Sequence, residues 1–143
     1  MEIEYISDSA HHGTHAFSQR DNTTPGDNVF GAPAHDFMER SIDLNEHLVH
    51  NPQATFFLRV SGESMCDAGI HDGDIVIVDR SIKPQSGKIV IAVIDGEMLL
   101  RRYIKTFNSL TLVPDTKKLS PLTITEYHDF KIWGVVTYAI KYV

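Results

Sequence analysis

The sequence predicts a mainly β domain of bent antiparallel or mixed sheets, with one short helix and a flexible N-terminal arm. Three observations support this prediction. Short apolar runs rich in β-branched residues follow Pro52, and turn residues rather than helical segments separate them. The pair Asp95-Gly96 joins two of these runs, which is typical of a two-residue hairpin loop. Residues 7–33 are polar and show no periodicity, which is typical of an unstructured arm.

The chain of 143 residues is long enough for one domain of ordinary size and a tail, and too short for two well-packed domains. Residues 1–36 are interpreted as the flexible arm, because their polar and small side chains cannot bury enough apolar surface to offset the entropy lost on ordering. Residues 37–143 are interpreted as the β domain.

The predicted helix spans residues 43–50. Leu44 and Leu48 are four residues apart and share one face, and Asp43 is a residue type that caps helix N-termini. Pro52 ends the pattern. The predicted strands cover the β-rich runs at residues 55–60, 75–78, 89–94, 97–104, 110–113 and 132–140.

Composition and charge argue against several classes of protein. Thirteen Lys and Arg residues against nineteen Asp and Glu residues give a net charge of -6, so we expect any link to DNA to run through a partner. The single cysteine cannot form an internal disulfide. No apolar run of about eighteen residues is present, and the first residues lack the pattern of a secretory signal. We therefore expect a soluble protein of the reducing cytoplasm.

The candidate chemistry lies at residues 60–65, where the sequence VSGESM directly follows a predicted strand. Ser64, behind a glycine at a strand end, can be displayed as a nucleophile, but a polar turn between two strands has the same composition. From the residues alone the turn is the favoured interpretation. A Gly-x-Ser-x-Gly nucleophile elbow is absent, because Met65 is followed by Cys66.

The serine stretch is the first of four motifs that follow one another along the chain. They are SGESM at 61–65, DGD with IVIVD at 72–79, GKIV at 87–90 and DGE at 95–97. In this order they resemble the LexA/UmuD family of self-cleaving Ser-Lys peptidases. IDLN at 42–45 and NPQAT at 51–55 resemble its UmuD branch, and the resemblance extends from Gly31 to Tyr142. It implies the bent β fold of that peptidase domain, whereas the arm is too short and polar for the helix-turn-helix domain of a LexA-type repressor.

The resemblance implies that Ser64 is the nucleophile and that residue 101 is the position of the general-base lysine. A buried lysine can lose its proton near neutral pH, because desolvation penalises the charged form. In this chain the position holds Arg101. Neutralising an arginine at pH 7 costs on the order of 7 to 9 kcal/mol, against about 4 to 5 kcal/mol for a lysine. Arg101 therefore cannot serve as the base, and we expect impaired self-cleavage.

Neighbouring basic residues do not supply the missing base of the serine-lysine pair, which we call the dyad. Arg102 has the same defect and lies on the other face of the strand, and Lys105 lies about 13 Å farther along it. We expect Ser64 and Arg101 to face each other across a cleft. Because a guanidinium is longer than an ammonium stem, we expect Arg101 to turn outward toward water or a carboxylate.

The scissile bond departs from the family pattern as well. Family members cut between a small residue or cysteine and a glycine, and the register of the motifs places this bond at Asn28-Val29. The arginine at the lysine position and the lack of a glycine at the expected scissile bond therefore both predict that the chain cleaves itself poorly.

The resemblance implies an SOS-response accessory protein of an error-prone translesion DNA polymerase. Such proteins form homodimers and bind the catalytic subunit of the polymerase, and the expected trigger of cleavage is the RecA-nucleoprotein filament. No cofactor and no metal are implied. Two alternatives stay open: a binding-only regulator with the same fold that has lost proteolysis, and a membrane-type Ser-Lys leader peptidase, which the lack of an apolar span disfavours.

Weaker candidates have simpler interpretations. We expect Cys66 to be a small half-buried residue rather than a nucleophile, because no motif places a histidine beside it. Met65 and Met98 are expected to fill core space beside the dyad. Three histidines of the arm are interpreted as a solvated polar segment rather than a metal site, because no fourth ligand is near: His11, His12 and His15.

Overall fold

The computed structural model describes residues 2–9 and 41–143, which contain eight strands and one α-helix. Two short 3₁₀ turns, Pro52–Ala54 and Cys66–Ala68, precede and follow the second strand. The strands that the sequence predicts are confirmed, with bounds that differ by at most two residues. The elements are β1 (Ile3–Asp8), α1 (Leu44–Leu48), β2 (Thr55–Val60), β3 (Ile75–Asp79), β4 (Ile89–Ile94), β5 (Glu97–Lys105), β6 (Leu110–Val113), β7 (Leu122–Thr123) and β8 (Phe130–Ile140).

The eight strands form one sheet in the order β1-β2-β3-β8-β4-β5-β6-β7, and every neighbouring pair is antiparallel. The predicted fold class is thereby confirmed. Strand β8 lies between β3 and β4 and joins the two halves of the sheet. Its register shifts against both neighbours, at Ile77/Val78 and at Ile91/Ala92, and such irregularities bend a sheet. A Cβ on Gly134 would lie 2.5 Å from Cγ1 of Val78, so a glycine is needed where β8 passes β3.

Alternate residues of β4 contribute to two different clusters of buried side chains. Side chains of a strand alternate between its faces, so Val90 and Ala92 belong to one cluster while Ile91 between them belongs to the other. Because both faces are covered, β4 consists almost entirely of apolar residues. The cluster around Ile91 also contains the residues that adjoin the candidate site, notably Met65 and Leu100.

The β4–β5 hairpin forms at the Asp-Gly pair, as the sequence predicts. Asp95 has a φ of 50° and Gly96 a φ of 82°, so both loop residues have the positive φ that a type I′ turn requires. Ile94 pairs with Glu97 directly across the turn. This register determines which residues of β5 face the rest of the domain.

Helix α1 is shorter than the predicted span of residues 43–50. The side chain of Asp43 accepts hydrogen bonds from the backbone N–H groups of Asn45 and Glu46, which confirms it as the N-cap. The helix ends at Leu48. Within the described residues, no helix is both long enough and apolar enough to cross a membrane.

Strand β1 differs from the sequence-based expectation. Residues 3–8, which were assigned to the arm, pair antiparallel with β2, and Ile3 is buried in the same cluster as Leu58 and Val60. A single buried side chain among exposed neighbours gives too weak a pattern to predict a strand, and β2 supplies the missing partner. The two-residue strand β7 was not predicted either. The proposed boundary near residue 37 lies outside the described residues.

Candidate active site

Ser64 lies in the connection between β2 and β3, in residues 61–70, which we call the serine loop. Gly62 and Gly69 have φ values of 94° and 84°, which a glycine adopts without strain, so the chain can turn on both sides of Ser64. The backbone N–H of Gly62 donates to Oδ1 of Asp72 at 2.8 Å. The serine loop is therefore hydrogen-bonded to the turn that begins β3, and the two adjacent sequence motifs form one local unit.

The hydroxyl of Ser64 is buried. The residue is 3% exposed, and its Oγ donates to the backbone carbonyl oxygen of Leu100 on β5 at 3.4 Å. Next to it, Met65 is 1% exposed and packs in the same core cluster as Leu100. A carbonyl oxygen is too weak a base to accept the serine proton, so this contact orients the hydroxyl without activating it.

Arg101 follows Leu100 directly on β5, and its guanidinium turns back to the same carbonyl. Nη1 of Arg101 donates to the Leu100 carbonyl oxygen at 2.7 Å and to both carboxylate oxygens of Glu2 at 2.9 Å. The Arg101 side chain is 13% exposed. The carbonyl oxygen of Leu100 therefore accepts from both Ser64 Oγ and Arg101 Nη1.

Glu2 bridges the serine loop and β5. Its carbonyl oxygen accepts from the backbone N–H of Ser61 at 2.7 Å, and its carboxylate accepts from the N–H of Leu100 as well as from Arg101. Sequence reasoning missed Glu2, because nothing in its local pattern distinguishes it from any other acidic residue of the predicted arm.

A second contact holds the serine loop from the side of β6. Asp115, two residues after β6, accepts from the N–H of Asp67 at 2.8 Å and donates its own N–H to Sδ of Met65 at 3.4 Å. Its carboxylate pairs with Arg102, whose Nη1 also donates to the carbonyl of Gly87 at 2.7 Å. The hydrogen bond to Asp115 raises the pKa of the Arg102 guanidinium, although burial opposes this.

Arg101 and Arg102 have different partners, as expected for neighbours on a strand. Lys105 is exposed at the end of β5, and its side chain is not among the groups that contact Ser64. In the contacts that the structure describes, Ser64 has no neighbouring group that can take its proton at neutral pH. The site therefore contains a positioned hydroxyl and, on the same backbone carbonyl, an ion-paired guanidinium.

The remaining sequence candidates have structural roles. Met98 packs against the core cluster that contains Met65, as predicted. Cys66 is half-buried, and its Sγ approaches the carboxylate of Asp67 and the carbonyl of Asp115, with no histidine among the partners found in the described residues.

Some sequence predictions lie outside the described residues. The Asn28-Val29 bond and the three arm histidines, His11, His12 and His15, are among them. Within residues 2–9 and 41–143, no group of three or more His, Cys, Asp or Glu side chains is placed to hold a metal ion.

Comparison with known proteins agrees with the motifs and the fold. Residues 26–137 match the family model described as Peptidase S24-like. The chain is 44% identical to Protein ImpA of Salmonella typhimurium over 115 residues, which cover 78% of this chain and 75% of that protein. It is 39% identical to Protein MucA of Escherichia coli over 112 residues, covering 78% of this chain and 76% of that protein.

A more distant relative marks the other branch of the family. The chain is 34% identical to the LexA repressor of Clostridium novyi over 89 residues, which are 62% of this chain and 44% of the repressor. The family match covers well over half of the chain. ImpA and MucA are 44% and 39% identical to it, and each alignment covers 78% of it. The chain belongs to the Peptidase S24-like family, the LexA/UmuD family that its motifs predict.

Proposed function

We propose that this chain is an UmuD-like accessory protein of SOS mutagenesis that serves an error-prone translesion DNA polymerase, and that its own self-cleavage is impaired. Membership of the Peptidase S24-like family and the similarity to ImpA and MucA support the first part. One observation carries the second part. Ser64 and Arg101 contact the same Leu100 carbonyl, which supports the proposal that residue 101 is the position of the family's lysine and that a permanently charged guanidinium stands there instead.

In this proposal Ser64 keeps the role of nucleophile. Attack on a peptide bond of the arm requires transfer of the Ser64 proton to a base, and neither the Leu100 carbonyl oxygen nor the Arg101 guanidinium that contacts it can accept this proton. The ion pair with Glu2 holds the guanidinium at the Leu100 carbonyl. The arm bond at Asn28-Val29 is the proposed substrate position, and it lacks the glycine of the family pattern.

The proposed partners are a second copy of the chain, the catalytic subunit of the polymerase and the RecA-nucleoprotein filament, in the cytoplasm. The net charge of -6 argues against direct nucleic-acid binding. Strand β1 lies at one edge of the described sheet, and a sheet edge is a surface with which a second chain can pair. Sedimentation at micromolar concentration tests the homodimer: we expect the mass of two chains, and a monomer would contradict this part.

Intact mass after incubation with an activated RecA-nucleoprotein filament tests impaired self-cleavage. The parent chain and the Arg101→Lys variant are compared at equal concentration. We expect the parent to keep its full mass while Arg101→Lys yields an arm fragment. Rapid and equal cleavage of both chains would overturn the proposal that Arg101 silences the serine.

A binding-only regulator is a second candidate, and the Glu2–Arg101 ion pair favours it. In this second candidate function, the position proposed for the proton acceptor serves as a structural contact between Glu2, directly before β1, and Arg101 of β5. If proteolysis has been lost altogether, then Ser64→Ala should bind the catalytic subunit of the polymerase as tightly as the parent. It should also leave DNA-damage-induced mutagenesis unchanged, whereas a loss of mutagenesis on Ser64→Ala would show that the serine is used.

A further inference from the structure

We infer that Arg102 and Asp115 form a positioning pair for Ser64, acting through the backbone of the serine loop. The inference rests on the proposed nucleophile, and it assigns a role to two residues outside the Ser64–Arg101 site. Neither residue touches the serine hydroxyl, whose hydrogen bond goes to Leu100. Their effect is to determine where the segment that follows Ser64 lies.

Asp115 contacts three consecutive residues directly after Ser64. Its backbone N–H donates to Met65 Sδ, and its carbonyl oxygen lies 4.0 Å from Cys66 Sγ and accepts the N–H of Asp67 at 2.8 Å. These contacts join the 3₁₀ turn Cys66–Ala68 to the end of β6. A shift of Asp115 would therefore move the backbone on the C-terminal side of Ser64.

Arg102 holds Asp115 in place. Its Nε lies 3.2 Å and 3.1 Å from the two carboxylate oxygens of Asp115, and Nη2 contacts one of them as well. Its Nη1 donates to the carbonyl of Gly87, just before β4. A forked guanidinium with fixed partners on two sides restricts both the position and the orientation of the carboxylate.

Ser64 thus lies between two anchors of the serine loop. On its N-terminal side, Ser61 donates to the carbonyl of Glu2, and on its C-terminal side the loop is attached to Asp115. A nucleophile displaced by about 1 Å loses on the order of a hundredfold in rate, so the anchors bear directly on any reaction at Ser64.

The first test measures hydrogen exchange of the Asp67 amide by NMR in the parent, Arg102→Gln and Asp115→Asn. We expect the Asp67 amide to exchange about tenfold faster in both variants, while the amide of Ile91 in the core keeps its parental rate. Arg59→Gln is the matched control, because Arg59 is an exposed strand arginine whose Nη1 donates to one carbonyl, that of Gly73. Unchanged exchange at Asp67 in both variants would overturn the inference.

A conservative variant separates positioning from general destabilisation. Arg102→Lys keeps the charge but loses the fork, so we expect its Asp67 exchange rate to lie between those of the parent and Arg102→Gln. If Asp115→Asn does not fold, this ordered series of Arg102 variants decides the question. Equal acceleration at Asp67 and Ile91 in every variant would show a purely structural role and contradict the inference.

The second test measures self-cleavage in the Arg101→Lys background. Adding Asp115→Asn should lower the rate about tenfold while leaving the midpoint of its pH profile unchanged, because the contacts of residue 101 are not altered. A shifted midpoint would instead assign Asp115 to the proton-transfer step. If Arg101→Lys does not cleave even after Asn28→Ala and Val29→Gly are added, the proposed nucleophile fails, whereas the exchange test still decides whether the pair holds the loop.

Discussion

Glu2 and Arg101 are 99 residues apart in the chain, and both oxygens of the Glu2 carboxylate lie 2.9 Å from Nη1 of Arg101. The same Nη1 donates to the Leu100 carbonyl that accepts from Ser64. The residue directly before the first strand is thereby joined to the candidate active site through an ion pair. An arginine is suited to this contact, whereas the family's reaction requires a residue that can become neutral.

The first prediction concerns the base. Arg101→Lys should cleave itself faster as pH rises, because a larger fraction of lysine is then neutral, and the rate should increase about tenfold per pH unit below the lysine pKa. Intact mass against time from pH 7 to 10 measures this. Arg59→Lys, at an exposed arginine of β2, is the control and should remain uncut. Cleavage that survives the addition of Ser64→Ala would disprove the assignment of the nucleophile.

The second prediction concerns Glu2. In the Arg101→Lys background the carboxylate of Glu2 favours the charged ammonium, so it raises the pH at which lysine becomes a base. Adding Glu2→Gln should move the midpoint of the cleavage profile downward by about one pH unit. Glu4→Gln, which removes the next acidic residue of β1, is the matched control. Identical midpoints with and without Glu2→Gln would show that the ion pair does not influence the base.

The third prediction concerns the substrate bond. In the Arg101→Lys background, Asn28→Ala together with Val29→Gly should increase the rate of self-cleavage, because the pair then matches the small residue and glycine of the family pattern. Mass spectrometry of the released fragment identifies the bond. The same two changes in the parent, which keeps Arg101, should leave the chain uncut. Cleavage at another bond would show that the scissile bond has been assigned to the wrong residues.

The fourth prediction concerns stability at the end of β3. Burial disfavours the charged form of Asp79, but hydrogen bonds from Asn51 and Ser81 outweigh it and hold the pKa of that carboxyl below its usual range. A lowered pKa stabilises the fold above the unfolded pKa of about 3.9, and this contribution is lost as pH falls through the folded pKa.

Asp79→Asn should therefore lower the free energy of unfolding at pH 7 by about 1 to 3 kcal/mol, because the amide cannot accept all of these bonds. Urea unfolding at pH 7 and at pH 3 measures the effect, and the difference from the parent should shrink at the lower pH. Glu126→Gln, at an exposed position, is the control and should unfold like the parent. An equal loss at both pH values would indicate a packing defect rather than a charge effect.

Most of the fold could be predicted from the sequence, because its signals are local. The strand bounds of β2 and β4 follow from runs of apolar and β-branched residues, and the hairpin follows from Asp95-Gly96, whose positive φ angles are required by so short a loop. Strand β1 was missed because it contributes one fully buried apolar side chain, Ile3, and gains its order from pairing with β2.

The candidate site divides in the same way. The sequence motifs alone predict Ser64 as the nucleophile and place an arginine at the expected lysine position, and the chemistry of arginine predicts that this residue cannot accept a proton. Only the tertiary structure decided that the guanidinium pairs with Glu2 and that Asp115 holds the serine loop. Hydrophobic periodicity and turn residues report on the neighbours of a residue in the chain. Contacts between charged side chains across 99 residues depend instead on the order and register of the strands, which these local patterns do not encode.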